Sequence, residues 1–139
     1  MSTTAYQFFL EHAGYSWDPA VETQEVGRDR CARALASAEE RGTELGFTCE
    51  FSEDGEADRS FMDTPDYSAE DRRCAEFYCA VVRDAAGEVL TSVSGIHEDI
   101  RDPQGARDYR RVVRAELFME GLEFHAIEEA KRAAREVSS

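Results

Sequence analysis

The hydrophobic pattern of the chain is organised around residues 76–96. Two runs, 76–83 and 88–96, are rich in β-branched and aromatic residues, which favour extended strands. They are joined by Asp84-Ala-Ala-Gly87, and a glycine at the end of so short a connection is typical of a hairpin turn. Because two strands alone are marginally stable in water, this antiparallel hairpin predicts a third strand and a helical cover.

Two helices are predicted to supply that cover. The first spans about 23–45, where Thr23 is a favourable N-cap, apolar residues recur at helical spacing, and Gly46 suits a left-handed C-cap. The second spans about 104–136 and follows Asp102-Pro103, a cap and a first-turn proline. At 1.5 Å per residue it would be about 50 Å long, so its end is predicted to project from the sheet, to kink or to meet another subunit.

The element order predicts an α+β fold. Phe47, Cys49 and Phe51 alternate with polar residues and form the third strand. The spacing of apolar residues over 6–13 favours a short N-terminal helix, although the same residues also permit a strand with Tyr6, Phe8 and Leu10 on one face. The order α-β-β-β-α therefore predicts a three-stranded antiparallel sheet covered by two helices, with a long C-terminal helix. A chain of 139 residues has the usual size of a single domain, 1–139.

Residues 53–75, which we call the acidic segment, lack any periodicity and are predicted to form an irregular loop. Phe61, Met62 and Tyr67 are predicted to pin this loop to the rest of the domain. Residues 47–77 contain ten acidic and three basic residues, hence −7 of the total charge of −14. Because long structureless loops in compact domains tend to be functional or disordered, the acidic segment is the first candidate for a site.

The net charge and the hydropathy pattern exclude several classes of function. A charge of −14 argues strongly against a protein that coats nucleic acid or an anionic membrane. No apolar run is long enough to span a membrane, and no basic residues precede the apolar part of the N-terminus, as they would in a secretory signal. A cytoplasmic location is therefore predicted.

The acidic segment has two functional interpretations. Glu53-Asp54-Gly55-Glu56-Ala57-Asp58 gathers oxygen ligands around a glycine, but the spacing departs from that of calcium loops, so neither a metal nor a cofactor is predicted. In the second interpretation, the carboxylates bind the basic surface of another protein. Trp17, beside Pro19, either anchors such a partner or covers the core. The candidate partner-binding residues are Glu53, Asp54, Glu56, Asp58, Asp63, Asp66 and Trp17.

Four arginines form a row on the predicted C-terminal helix. Arg107, Arg110, Arg111 and Arg114 are spaced i, i+3, i+4 and i+7, which places them on one helix face. Such a row can bind phosphate groups, or it can pair with the carboxylates of the acidic segment, in this chain or in a second copy. The overall negative charge repels polyanions and favours the pairing.

A thiol-dependent hydrolase or transferase is the rival to a binding protein. The candidate nucleophiles are Cys49, Cys74 and Cys79, with His97 as the base and Glu98 or Asp99 orienting it. The four cysteines include no Cys-x-x-Cys pair, and in a reducing compartment buried thiols act mostly as small hydrophobic groups. No strand–turn–helix nucleophile motif and no glycine-rich phosphate loop is found, so an enzyme is not predicted.

Three further stretches are distinctive as sequence: Glu11-His-Ala-Gly-Tyr-Ser-Trp-Asp-Pro19, Gly27-Arg-Asp-Arg-Cys-Ala-Arg-Ala-Leu35 and Tyr109-Arg-Arg-Val-Val-Arg-Ala-Glu116. They resemble short acidic proteins of unassigned function that are encoded by high-GC actinobacteria and their phages. The resemblance covers about residues 6–120, and it transfers no catalytic residue. It implies an accessory protein of a mobile element, acting in the host cytoplasm if phage-encoded.

Together these patterns predict a non-enzymatic accessory protein that binds a protein partner with a basic surface through the acidic segment. In a phage it would be a counter-defence or host-takeover inhibitor that mimics the charge of nucleic acid without binding nucleic acid itself. The alternatives are the thiol enzyme and a self-assembling structural protein, in which the end of the C-terminal helix forms a homodimer.

Overall fold

The computed structural model describes residues 3–13, 15 and 17–138, and it shows an α+β fold. A three-stranded antiparallel sheet is preceded and followed by helices, as the sequence predicts. The elements are α1 (Thr3–Ala13), α2 (Gln24–Glu44), β1 (Thr48–Glu53), a 3-10 turn (Ser60–Met62), α3 (Ala69–Cys74), β2 (Ala75–Arg83), β3 (Val89–Asp99) and α4 (Pro103–Ser138).

Helix α2 begins and ends at the predicted caps. The Thr23 hydroxyl accepts a hydrogen bond from the Val26 amide, which satisfies one of the free N–H groups of the first turn. At the other end Gly46 has a φ of 83°, the left-handed conformation that glycine adopts without a steric cost. Its amide donates to the Thr43 carbonyl, and the chain turns directly into β1.

The strand order in the sheet is β1-β2-β3, and both pairs are antiparallel. The predicted hairpin joins β2 and β3 through residues 84–88, with Gly87 at a φ of 86°. The Asp84 side chain accepts hydrogen bonds from the Ala86 and Glu88 amides. Local turn chemistry therefore fixes how β2 and β3 begin to pair next to the turn.

One face of the sheet packs against α4. Alternate residues of β2 point toward this helix, including the fully buried Ala80 and Val82. They meet Leu117 and Phe118 of α4, and the ring of Phe118 lies edge-on to that of Phe47 at 5.7 Å between centroids. This cluster is the main core of the molecule.

A second core joins the three long helices. It contains Tyr6 and Leu10 of α1, Ala32 and Leu35 of α2, and Ala115 of α4 among its buried residues. Helix α4 contributes to both cores, because one part of its surface packs on the sheet while another packs on α1 and α2. The N-terminal helix is therefore an integral part of the helical layer.

The approach of α2 to α4 depends on a glycine. A Cβ placed on Gly42 would lie 2.4 Å from Cδ2 of Phe118, which is fully buried and cannot move aside. We expect Gly42→Ala to lower the free energy of unfolding by about 2 kcal/mol, because an overpacking cost of about 3 kcal/mol exceeds the helix-propensity gain of about 1 kcal/mol. Urea denaturation followed by circular dichroism measures the difference.

Gly55→Ala is the matched control for that substitution. Gly55 is exposed, and a Cβ there would meet no atom within 4 Å, so we expect a change within about 0.5 kcal/mol. A Gly42→Ala protein as stable as Gly55→Ala would show that the two helices do not need this close contact.

Helix α4 continues well beyond the sheet. It is unbroken over 36 residues, and residues 129–137 are all exposed. The described residues therefore show an end that projects from the domain, whereas a contact with another subunit stays a prediction. Although α4 is long, no helix in the described part of the chain combines the length and the apolar composition that a membrane crossing requires.

Candidate functional site

The acidic segment folds onto the face of the sheet opposite to α4. Met62 is only 2% exposed and packs with Ala75 and Phe77, whose side chains point away from the main core. Tyr67 is half-buried beside them, and the ring of Phe61 contacts those of Tyr67 and Phe77 at 5.7 and 5.9 Å. The predicted role of Phe61, Met62 and Tyr67 as anchors is therefore confirmed.

The prediction that residues 53–75 are irregular is wrong for two of its stretches. The segment contains the 3-10 turn at 60–62 and helix α3. Helix α3 begins with a capping box, in which the Ser68 hydroxyl accepts from the Asp71 amide and the Asp71 carboxylate accepts from the Ser68 amide. Six residues are too few to produce a recognisable hydrophobic period, so only this Ser-x-x-Asp pattern could have revealed the helix.

Five of the six candidate carboxylates are exposed and carry no ion pair. Within the described residues, no salt bridge involves any of them or Asp54. A hydrogen bond from Ser60 holds the pKa of Asp58 below its usual value, so this group is firmly ionised at neutral pH. The five exposed residues are Glu53, Glu56, Asp58, Asp63 and Asp66.

Asp54 has a structural role that the sequence does not reveal. Its amide donates to the Phe77 carbonyl in β2, and its carboxylate accepts from the Gly95 amide in β3 at 2.9 Å. The same carboxylate also accepts from the Glu56 amide at 3.2 Å. Asp54 therefore fixes the start of the acidic segment to the sheet and is not free to contact a partner.

The basic residues inside the acidic segment do not neutralise it. The Arg59 guanidinium lies over the Phe77 ring, 4.7 Å from its centroid. Arg72 donates to the carbonyls of Met62 and Tyr67 at 3.1 and 2.8 Å. Arg59 also donates to the Ala75 carbonyl at 3.5 Å. Among the described residues none of the three arginines of the segment, Arg73 included, forms an ion pair with its exposed carboxylates.

The far end of the acidic segment is joined to β3 by a charged network. Arg101 donates to Asp71 of α3 at 2.8 Å and to Asp99 of β3 at 2.6 Å. The Arg101 guanidinium lowers the pKa of Asp99 to about 2. Together with Asp54, this network attaches both ends of the segment to the sheet.

The arginine row of α4 does not pair with the acidic segment in this chain, contrary to the prediction. Arg110 donates to both carboxylate oxygens of Glu98 at 2.6 and 2.9 Å, and Arg111 lies 3.5 Å from the Glu39 carboxylate. The physical reason is topological: α4 covers one face of the sheet and the acidic segment covers the other. The sequence shows the row but cannot show which face of the sheet it meets.

Tyr6 contacts both Glu39 and Arg111. The sequence pattern does not indicate it as a candidate site residue. Its hydroxyl donates to Glu39 at 2.7 Å and accepts from Nε of Arg111 at 3.2 Å. Burial, with the hydrogen bond to Glu39, raises the pKa of Tyr6 from 10.0 to about 12. The neutral phenol is therefore the form that the fold stabilises.

This shift predicts a late-titrating tyrosine. Absorbance at 295 nm should show one of the five phenols ionising near pH 12, and this step should be absent from Tyr6→Phe. Because the folded pKa is raised, its stabilising effect is complete below pH 10 and is lost as the pH rises to about 12. Ionisation of all five tyrosines in one step near pH 10 in the folded protein would contradict this assignment.

Trp17 lies away from the acidic segment. It is half-buried, and its Cβ is 3.0 Å from the position that a Cβ on Gly27 would occupy, near the start of α2. Helix α2 packs in the helical layer, on the other side of the sheet from the acidic segment. The structure therefore does not join Trp17 to the predicted acidic surface, and it is consistent with the interpretation that Trp17 covers the core.

The candidate thiols and His97 do not form a nucleophile–base pair. The His97 ring stacks on Phe77 with 5.0 Å between centroids, and no hydrogen bond in the described part of the chain joins it to a cysteine. Burial raises the pKa of the Cys49 thiol, which lowers the fraction of reactive thiolate. Cys79 instead contacts the hydroxyl of Ser52 at 3.1 Å.

The described residues also contain no group of three or more His, Cys, Asp or Glu side chains that could hold a metal ion. Comparisons with known proteins found no match among family models, curated proteins or solved structures. The function must therefore be argued from the surface chemistry of the chain itself.

Proposed function

We propose that this protein acts without catalysis by binding another protein through the acidic segment. The observation that carries the proposal is the set of five exposed carboxylates without ion pairs, on a segment that is folded against the sheet. Their charge is not cancelled within the described residues, so it is available to a cationic surface. The partner would present arginine and lysine side chains at matching positions.

The folded state of the segment favours such binding. Met62, the Asp54 hydrogen bonds and the Arg101 network hold the backbone in one conformation. A partner therefore does not have to order a flexible loop, which would otherwise reduce the affinity. The net charge of −14 also attracts a basic partner over several ångströms and accelerates the encounter.

A basic surface that normally holds nucleic acid is the partner class that this chemistry fits. Such a surface binds phosphates through lysine and arginine and releases counterions as it does so. Carboxylates that occupy the same positions would compete with the nucleic acid. The protein would thus act as an inhibitor by charge mimicry, in keeping with its predicted role as a counter-defence or host-takeover factor.

The test uses two triple variants with the same change in charge. Glu53→Gln, Glu56→Gln and Asp66→Asn remove three carboxylates of the acidic segment, whereas Glu40→Gln, Glu88→Gln and Glu123→Gln remove three exposed ones elsewhere. Affinity capture from a host lysate at low and high salt, with identification by mass spectrometry, supplies the candidate partner. Binding of that purified partner is then measured for the wild type and both variants.

We expect the segment variant to bind at least tenfold more weakly and the control variant to bind within about twofold of the wild type. Heparin, a polyanion, should displace the partner. Equal loss in both variants, or a partner that heparin does not displace, would refute binding through the acidic segment.

The thiol-enzyme alternative is not favoured by the geometry. An activated nucleophile requires a lowered pKa and a base within hydrogen-bond distance, whereas the pKa of Cys49 is raised and His97 stacks on Phe77.

Self-assembly is supported by one observation, the exposed apolar side chains of Phe124, Ile127 and Val137 on the projecting part of α4. Sedimentation velocity at high concentration tests it, and a monomer there would exclude it.

A further inference from the structure

The arginine row lines a depression on the helical side of the molecule. We call it the arginine groove; its volume is about 510 Å³, and its walls are Arg107, Arg110, Arg111 and Arg114 of α4, Phe51 of β1 and Glu39 of α2. We infer that the arginine groove binds the phosphate group of a small phosphomonoester. This inference is independent of the acidic segment, which lies on the other face of the sheet.

The positive charges in the groove are only partly compensated. Both oxygens of Glu98 accept from Arg110, while Glu39 lies 3.5 Å from Arg111 and also accepts from Tyr6. Within the described residues, Arg107 and Arg114 form no ion pair, although the chain contains thirty acidic residues. Two guanidinium charges therefore lack a counter-charge, the number that a dianion would compensate, although Arg107 donates to Gln104 Oε1 at 2.8 Å and Arg114 to Thr43 Oγ1 at 3.5 Å.

Aromatic rings orient two of the guanidinium groups in the groove. Arg114 lies over the ring of Phe118 at 4.8 Å and Arg111 over the ring of Tyr6 at 5.1 Å. Stacking on a ring face fixes the plane of a guanidinium while its N–H edge stays open to an acceptor. The donors of Arg111 and Arg114 are thus oriented before a ligand arrives, which reduces the entropy lost on binding.

A phosphomonoester matches these features better than a monocarboxylate or a nucleic acid does. Its phosphate is close to a dianion at pH 7, with a second pKa of about 6, and it offers three strong acceptor oxygens. A monocarboxylate would compensate only one of the two free charges. A nucleic acid would bring many phosphates close to a chain whose net charge is −14, and long-range repulsion would oppose it.

Phenyl phosphate and inorganic phosphate are suitable probes, and benzoate is the monoanionic control. Isothermal titration calorimetry at low ionic strength compares the wild type with Arg107→Gln/Arg114→Gln and with Arg33→Gln/Arg73→Gln. The last pair removes two exposed arginines outside the groove and matches the change in net charge. Thermal melting confirms that both variants are folded.

We expect the wild type to bind phenyl phosphate at least tenfold more tightly than benzoate, and the groove variant to bind it at least tenfold more weakly than the wild type. The Arg33→Gln/Arg73→Gln control should stay within about twofold. Affinity should rise between pH 5 and 7.5 as the phosphate loses its second proton.

Three results would overturn the inference: no phosphate binding by the wild type at millimolar concentration, equal weakening in both variants, or equal affinity for benzoate. If the wild type instead self-associates and Arg107→Gln/Arg114→Gln abolishes this without any phosphate binding, the groove receives the carboxylates of a second copy and the phosphomonoester assignment is wrong.

Discussion

Replacing Phe118 by alanine is expected to lower the free energy of unfolding by about 3–5 kcal/mol. Phe118 is 0% exposed, packs edge-on against Phe47, and fills the space that Gly42 leaves open between α2 and α4. Its removal would leave a cavity where the sheet, α2 and α4 meet, and the surrounding backbone cannot close it. Urea denaturation followed by far-ultraviolet circular dichroism gives the value.

Phe124→Ala is the matched control, because it makes the same substitution six residues later in α4. The Phe124 side chain is 46% exposed, and we expect a loss below about 1 kcal/mol. Similar losses at the two positions would mean that Phe118 does not lie at the centre of the main core.

Met62→Ala is expected to cost about 2–3 kcal/mol and to loosen the acidic segment. Met62 is the most deeply buried residue of the small cluster that holds the segment on the sheet. Because few other apolar contacts anchor the segment, the loss should be concentrated there. Amide hydrogen exchange over residues 54–74 should accelerate at least tenfold, while exchange in α2 and α4 should change much less.

Thr64→Ala provides the comparison, since Thr64 is exposed in the same segment and its substitution should leave exchange unchanged. If Met62→Ala accelerates exchange uniformly across the whole domain, the segment is not a separate unit of stability. The same variant also tests the proposed function, because a loosened segment should bind its partner more weakly.

The parts of the fold that local chemistry determines were predictable from the sequence. Thr23 and Gly46 mark the ends of α2 because a hydroxyl cap and a left-handed glycine act within one turn. Gly87 marks the hairpin for the same reason, and Asp102 caps α4 by accepting from the Gly105 amide. None of these features needs information from distant residues.

The partners of charged residues were not predictable, because they depend on which face of the sheet each element covers. Glu98 lies in β3, beyond the predicted end of that strand, and its pairing with Arg110 requires α4 to pack on the same face. Asp54 has the sequence context of a loop residue, yet its carboxylate bonds to Gly95 at a sequence separation of 41 residues. No local pattern encodes such a contact.

In the candidate site, too, the feature set by local sequence was predictable and the long-range pairing was not. The anchoring role of Phe61, Met62 and Tyr67 follows from three large apolar side chains in an otherwise polar stretch, and it is confirmed. The pairing of the arginine row with that stretch rested on charge alone, and it is wrong within this chain. Charge indicates that two surfaces attract, but it does not indicate whether the backbone lets them meet.

The hydrogen bonds of Asp54 have a mechanical consequence. This residue directly follows β1, bonds to β2 through its amide and reaches β3 through its carboxylate, so it ties all three strands at one point. A force applied to the acidic segment would therefore be transmitted to all three strands of the sheet and would not extend a flexible linker. A partner protein bound to the acidic segment would therefore tumble in solution together with the domain, as one rigid particle.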